Sequence, residues 1–429
     1  MDRVTIPLFA LFAALPFYIP QLWFLDFFAF LPLFVRKDFL THLRFGFVYG
    51  FFTYLFVLKA LFTLTDNVPL IVLLFLAFSA IYALIQFGIS YILNRFGVFY
   101  PLAFTGVEIM RLYFPFNGFP YEYLGKVLVN IPFLNLSLHY ITVFGATFFI
   151  LTVNWLLFKI FEKWEENVSR YLFTLTGIFS FLLFLSVVYK VSLKIPHYGI
   201  KVALIQPFLD ARDKLQNEEF VKLYTVHLLS LVSPKRVDLV FLPETAIPNG
   251  DIEKFIKTFS DYNLMFGTSI VNFDAIKKRW VAKNLVVFAE KGTVRGIYEK
   301  IIPLPFGEYT PKPFKWLANY IPYLGYIDYE LGKKDILFSF KGLKILPRVC
   351  NEVYFPIKIS KNVDIIAVFS NDAWFGLNFA RRHLWEVKVK AIETGKVFLF
   401  VNNNGFSGIV YPDGSYIGYP FKRVQFLSL

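Results

Sequence analysis

The chain has 429 residues, of which 56% are hydrophobic, 20% aromatic and only 17% charged, and its formal net charge is +13. That composition excludes a protein that is soluble along its whole length, and a single cysteine excludes an intrachain disulfide. The charges are unevenly spread: residues 1–194 hold 13 Lys/Arg and 9 Asp/Glu, whereas residues 195–429 hold 31 and 22. We read residues 1–194 as a helical membrane domain and residues 195–429 as a globular domain, long enough for one large core. Beside a membrane domain, the second domain's net +9 fits anionic lipid more simply than nucleic acid, so no nucleic-acid partner is expected.

Apolar stretches near 4–19, 21–35, 45–64, 69–92, 97–113, 138–158 and 171–190 predict about seven spans. The first two are short and carry Pro16, Pro20 and Pro32, so they are expected to be tilted, kinked or re-entrant. The opening stretch lacks a small-residue cleavage site and does not read as a cleaved signal peptide. If seven spans alternate, Arg3, Arg36, Lys37, Arg44, Arg95, Lys159, Lys163 and Arg170 share one side, which the positive-inside rule makes cytoplasmic. Seven spans that start inside end outside, so the globular domain is expected on the extracytoplasmic (periplasmic) face of the inner membrane. An unpaired cysteine is unusual in that oxidising setting.

Residues 107–125 interrupt the apolar pattern with Glu108 and Arg111, followed by a Phe/Pro/Gly-rich loop. At i, i+3 the two charges can pair on a helix. Charges at membrane depth are costly and face an interior or a cavity. Either a structural ion pair or part of a lipid pocket accounts for them.

After Lys194 the periodicity changes. Strands are predicted at 201–206, 237–244, 264–271, 284–290, 293–303 and 364–370, with helices near 217–232, 251–261, 354–361 and 380–395. Residues 397–419 read as a hairpin-like end with turns at Asn403-Asn404-Gly405 and Pro412-Asp413-Gly414. Strands alternating with helices predict an α/β layered domain. Residues 309–335, with five tyrosines, Trp316 and several prolines, read as a long loop and as a membrane-facing arm.

Three apolar runs in this domain each end on a reactive side chain: Glu244 in FLPETAIP, Lys300 in YEKIIPLPFGEYTP and Cys350 in LPRVCNEVYFP. A carboxylate can take the thiol proton and return it to a leaving group. A lysine beside the thiol lowers its pKa and stabilises the oxyanion formed on attack. Cys350 is therefore a candidate nucleophile, Glu244 a candidate general base and Lys300 a candidate oxyanion partner.

The order Glu, Lys, Cys in these motifs resembles the nitrilase superfamily, whose fold is an αββα sandwich. The membrane spans ahead of it narrow the resemblance to the apolipoprotein N-acyltransferase family of bacteria. The likeness extends in order through Gly118-Phe119-Pro120, Ile205-Gln206, Pro243–Ala246, Pro305–Tyr309, Cys350 with Glu352, Ser370–Gly376 and Asn402–Gly405, nearly the whole chain. The resemblance implies Glu308 and Glu352 as supporting carboxylates, orienting Lys300 and the second substrate, and Trp374 and Phe375 as borders of an acyl pocket. It implies a two-step transfer through a Cys350 thioester, from a phospholipid donor, typically the sn-1 chain of phosphatidylethanolamine, to the α-amino group of a diacylated apolipoprotein. No cofactor and no metal are expected, and the five histidines lack metal-ligand spacing; a monomer is expected.

Two departures stand out. Asn351 follows the cysteine where the family often has Tyr, and the family usually adds a further transmembrane helix after the soluble domain, whereas this chain stops at Leu429. Either this member lacks that helix or the chain is truncated. The alternative reading is a membrane-tethered nitrilase-like amidase or hydrolase, with the same three residues but water as the acceptor.

Overall fold

Each apolar stretch of the first part contains helix in the computed structural model, which describes residues 4–163, 168–249, 252–275, 279–326, 328–359 and 362–429. The chain divides into two compact units, Met1–Phe62 with Asn67–Lys194, and Thr63–Asp66 with Ile195–Leu429.

In the first unit, three helices among the described residues are long and apolar enough to cross a membrane: Val68–Arg95, Asn135–Glu162 and Val168–Ser192. A fourth is available if Phe39–Thr53 and Phe56–Leu64, bent by 65°, form one span. That is fewer than the seven predicted. The stretches near 4–19 and 21–35 give the shorter apolar helices Thr5–Phe17 and Pro20–Val35. The stretch near 97–113 gives only Tyr100–Met110. Pro16, Pro20 and Pro32 lack an amide proton and break up the first two into short α and 3₁₀ turns. Local caps set other starts. Asp38 accepts from the Thr41 amide at 2.9 Å and Asn67 from the Leu70 amide at 3.2 Å, satisfying N–H groups that a helix leaves unpaired.

The second unit is built on two sheets. The first runs β13 (Val424–Ser428), β1 (Lys201–Ile205), β2 (Leu239–Pro248), β3 (Asn263–Asp274), β4 (Arg279–Glu290), β5 (Thr293–Glu299), with β6 (Asp328–Glu330) also pairing β4. The second runs β12 (Tyr416–Ile417), β11 (Gly408–Val410), β10 (Val397–Asn402), β9 (Ile365–Ser370), β8 (Leu343–Val349), β7 (Phe338–Phe340). Strands β1, β2 and β3 are mutually parallel, as are β8, β9 and β10.

Alternation within the strands explains the layering. Val202, Leu204, Leu239, Phe241 and Met265 point into a core shared with Ile345, Ile365, Phe369 and Leu399 of the other sheet. Ala203, Val240, Leu242 and Phe266 point the other way, against Leu228, Leu229 and Phe255 of the helices Glu218–Ser230 and Ile252–Thr258. The helix Leu377–Thr394 packs on β10, and Gly395 at φ +65° ends it in the left-handed conformation that suits glycine. Helices therefore cover the outer faces of two face-to-face sheets, the predicted αββα sandwich.

Two local expectations are corrected. The helix predicted near 354–361 is absent among the described residues. The 3₁₀ turn Cys350–Tyr354 ends at an extended Phe355, and residues 356–359 form no regular element, while Ser360 and Lys361 lie outside the described residues. The stretch 309–335 is not one long loop: it carries the 3₁₀ helix Lys312–Asn319, the short helix Tyr323–Tyr326 and β6. Its Ile327 lies outside the described residues, as does Asp251 at the start of another predicted helix.

Candidate active site

Lys300 and Cys350 directly follow their strands, whereas Glu244 sits at an irregularity inside β2. Register between β2 and β3 shifts between Leu242 and Ile247, so Glu244 sits in an irregular stretch, and Thr245 after it has φ +49°. On β3, a Cβ added at Gly267 would lie 2.5 Å from both Glu244 Cα and the Pro243 carbonyl oxygen. Only glycine lets the two backbones approach so closely. Lys300 follows β5, and its amide donates to the Asn284 carbonyl on β4 at 2.9 Å. Cys350 follows β8 at φ +49°, an uncommon conformation for a residue with a side chain.

The charged groups converge. Lys300 Nζ donates to Glu308 Oε1 at 2.8 Å and lies 3.9 Å from Glu244 Oε1. Asn284 joins the two carboxylates, donating from Nδ2 to Glu244 Oε1 at 2.7 Å and to Glu308 Oε1 at 3.0 Å. The Leu304 amide fixes Glu308 Oε2 at 2.7 Å. Glu244, Lys300, Glu308 and Cys350 are all buried. Cys350 belongs to the same group electrostatically, since Glu244 and Lys300 are the two charges that act most on its thiol.

Burial raises the Glu244 pKa above the ordinary carboxylate value; Lys300 opposes the rise and Glu308 reinforces it. Burial works against the Lys300 ammonium, but Glu308, Glu244 and Cys350 outweigh it and hold its pKa above the usual lysine value. Burial pushes the Cys350 thiol well up and Glu244 adds to that, while Lys300 and the Ser370 hydroxyl pull it down. The group thus rests as a neutral thiol beside a fixed cation and a carboxyl of raised proton affinity. Such a set can pass a proton from sulfur to carboxylate while the cation offsets the charge that develops.

The other predicted residues fall into two groups. Glu308 holds Lys300, as above. Glu352 faces the chain itself: it accepts from Tyr298 Oη at 2.9 Å and from the amides of Ile301 at 2.7 Å, Ile302 at 3.2 Å and Val349 at 2.7 Å. Those four donors tie the loop after Lys300 to the turn that carries Cys350, and they occupy the carboxylate expected to orient the second substrate. Burial raises the Glu352 pKa, opposed first by Arg348. Trp374 closes a 3₁₀ turn with its ring centroid 6.0 Å from that of Tyr323, and Phe375 packs on Phe379 at 4.6 Å.

Glu108 and Arg111 belong to the first unit, and of the two readings the ion pair does not form: among the described residues no contact within 4.0 Å joins their charges. Each is satisfied elsewhere. Glu108 accepts from the Leu124 amide at 2.9 Å and Thr147 Oγ1 at 2.6 Å. Arg111 donates to Gln86 Oε1 and Tyr54 Oη, both at 3.1 Å, and to the Phe119 and Tyr121 carbonyls. Gln86 lies on a π-helical turn, Ala83–Gly88. Together they pin the irregular Phe119–Leu124 segment. The buried pair that does form there is Glu122 with Lys126, at 3.7 Å.

Two residues escaped the sequence reading. Asn284 is a buried polar side chain at the head of the apolar run 285–289, and a buried amide needs partners, which is the available signal. Lys214, on the helix Ala211–Gln216, donates to the Glu244 carbonyl at 3.1 Å and to Thr245 Oγ1 at 2.9 Å. Burial pulls its pKa down to about 7, with Glu244 opposing. Nothing in its local sequence separates it from neighbouring surface lysines.

A family model described as the apolipoprotein N-acyltransferase N-terminal domain matches residues 9–156. An apolipoprotein N-acyltransferase of Aquifex aeolicus is 37% identical over 97% of this chain and 96% of its own length. The chain belongs to the apolipoprotein N-acyltransferase family. Members of that name from Sinorhizobium medicae and Rickettsia bellii are 25% and 26% identical, over 72% and 70% of this chain. The matched region spans 63% of each of those two relatives. Among solved structures, a CN-hydrolase superfamily protein of Xanthomonas campestris aligns at 17% identity over 54% of this chain and 91% of its own, with a TM-score of 0.40. Saccharomyces cerevisiae Nit3, of the nitrilase superfamily, aligns at 15% over 53% and 90%, with a TM-score of 0.38.

Proposed function

We propose that this chain is a phospholipid:apolipoprotein N-acyltransferase whose nucleophile is Cys350. Glu244 takes the thiol proton, and the sulfur attacks the ester carbonyl of a membrane phospholipid, expected at the sn-1 chain of phosphatidylethanolamine. The C–S bond forms as the carbonyl electron pair moves to oxygen, and the Lys300 ammonium stabilises that oxyanion. Collapse breaks the ester C–O bond, the glycerol oxygen takes its proton back from Glu244, and a lysophospholipid leaves. In the second step the α-amino nitrogen of a lipoprotein's S-diacylglyceryl-cysteine attacks the thioester. Glu244 accepts the amine proton, the C–S bond breaks, and the proton returns to the Cys350 sulfur. The products are an N-acylated lipoprotein and free enzyme.

The observation that carries this reading is the buried Lys300 ammonium, set 2.8 Å from Glu308 and 3.9 Å from Glu244 and acting on the Cys350 thiol. Family membership selects acyl transfer over the amidase alternative, because the Aquifex aeolicus relative named apolipoprotein N-acyltransferase matches 97% of this chain and 96% of its own length. Both substrates are bilayer-anchored, and a thioester kept from water goes to the amine rather than to hydrolysis. The Lys/Arg distribution of residues 1–194 supports a multi-pass inner-membrane protein with residues 195–429 on the extracytoplasmic side and the 309–335 arm facing the bilayer.

The test is transfer itself. Purified protein is incubated with phospholipid isotopically labelled in the sn-1 chain and a diacylated lipopeptide. Label is expected in amide linkage on the lipopeptide, and to be lost with Cys350→Ala. Label appearing only as free fatty acid would favour the hydrolase.

A further inference from the structure

The motifs Ser370–Gly376 and Asn402–Gly405 end β9 and β10 with polar side chains for which the proposed reaction has no use. Their placement follows from register. Val349 pairs with Phe369 across the parallel β8 and β9, so the next residues, Cys350 and Ser370, emerge side by side at the same edge. Asn402 pairs with Ser370 in turn. That register sets the Ser370 hydroxyl beside the sulfur, and Ser370 is a group that pulls the Cys350 thiol pKa down.

Behind Ser370 stands a closed network. Ser370 Oγ donates to Asp372 Oδ1 at 3.0 Å. His383 Nδ1 lies 2.9 and 3.1 Å from the two Asp372 oxygens and 3.4 Å from Ser370 Oγ. The Asn402 side-chain amide donates to Asp372 Oδ2 and its Oδ1 accepts from the Asp372 amide at 3.0 Å. All four side chains are fully buried. His383 Nε2 has no hydrogen-bond partner among the described residues, and its ring lies among Tyr354, Phe379 and Phe400, with centroids 5.2, 5.7 and 5.0 Å away. An N–H aimed into an aromatic cage would be unsatisfied, so the proton belongs on Nδ1, directed at Asp372.

This arrangement gives Ser370 a choice of acceptor. Asp372 alone, a buried anion near the sulfur, disfavours a thiolate. Asp372 also keeps two further donors, His383 Nδ1–H and the Asn402 amide, so it does not depend on the Ser370 proton. With the thiol intact, Ser370 accepts from S–H and donates to Asp372. Once Glu244 holds the thiol proton, the same O–H can turn to the sulfur while His383 and Asn402 continue to satisfy Asp372. No covalent bond changes; one hydroxyl rotates.

We propose that Ser370, held by Asp372 and His383, is a positioning residue that fixes the Cys350 sulfur and donates to it when the thiolate forms. This rests on Cys350 being the nucleophile. Cys350 is the chain's sole cysteine, so alkylation of the full-length protein by iodoacetamide reports it alone. Ser370→Ala should move the midpoint of the alkylation-rate pH profile upward by about one unit and slow acyl-enzyme formation about tenfold at pH 7, since a charge-assisted hydrogen bond is worth about that much. Ser370→Thr, which keeps the hydroxyl, should restore both. Asp372→Asn, which removes the repelling anion, should move the midpoint downward. An unshifted profile in folded Ser370→Ala, or an upward shift in Ser370→Thr, overturns the proposal. If Ser370→Ala does not fold, Ser370→Gly, which also removes the hydroxyl, takes its place with the same expected upward shift and the same contradicting result. Should Cys350→Ala still transfer acyl chains, the nucleophile assignment fails, a result separable from the alkylation comparison.

Discussion

Lys300 Nζ donates to Glu308 Oε1 at 2.8 Å, at the bottom of a loop whose Leu304 amide holds the other oxygen of the same carboxylate. The cation is therefore aimed by a group that takes no part in proton transfer. Glu308→Gln keeps the shape but loses the charge that orients the ammonium. Acyl-enzyme formation should slow about 10–100-fold, the worth of one hydrogen bond between charged groups. Lys300→Ala should cost more, about 100–1,000-fold, as for removal of an oxyanion donor. Single-turnover rates with phospholipid check both; a Glu308→Gln rate within twofold of the parent would contradict the assignment.

The pH dependence follows from Glu244. A base must be ionised to accept the thiol proton, and burial lifts this carboxyl above the ordinary glutamate range. Activity should therefore fall as pH drops through an apparent pKa above about 4.5, a value belonging to the coupled Glu244–Cys350 pair. Lys300, held above its usual value, stays protonated and contributes no loss through neutral and mildly alkaline pH. Asn284 donates to Glu244 and stabilises its charged form, so Asn284→Ala should move the acid limb further upward. Steady-state rates from pH 4 to 9 measure this, and an Asn284→Ala limb displaced downward would contradict it.

Gly267→Ala tests the strand geometry. The added methyl would stand 2.5 Å from Glu244 Cα and from the Pro243 carbonyl oxygen, so backbone must move. Overpacking of this kind costs about 1–3 kcal/mol, and here the displaced segment carries the proposed base. A lowered melting temperature together with a fall in activity is expected from thermal unfolding and transfer assays on the same preparation.

Much of this is legible in the sequence. Lys300 and Cys350 lie just past β5 and β8, as their places at the ends of apolar runs imply, whereas β2 continues past the predicted end at Glu244 to Pro248 and Glu244 is set out by the register shift there. Strands alternating with helices imply an α/β layered domain, and the αββα order of its layers is implied only by the family resemblance. Asn284 and Lys214 could not be assigned roles, because their partners lie 40 and 30 residues away and depend on the β3–β4 register and on helix packing. An i, i+3 spacing lets Glu108 and Arg111 pair, which is one of the two readings the sequence leaves open. Sequence spacing does not reveal that Gln86, Thr147 and backbone groups, 8–39 positions away, satisfy them first. The arm at 309–335 looked loop-like because prolines and tyrosines mask short elements, one of which is tied to β4 only by tertiary pairing.

Intact-protein mass spectrometry after incubation with phospholipid alone bears most directly on the proposed mechanism. One acyl-chain mass should appear on Cys350, vanish on adding a diacylated lipopeptide, be absent in Cys350→Ala and be strongly reduced in Glu244→Ala and Lys300→Ala. Transfer that proceeds with no acyl mass on Cys350, or that survives its replacement by alanine, would contradict the account.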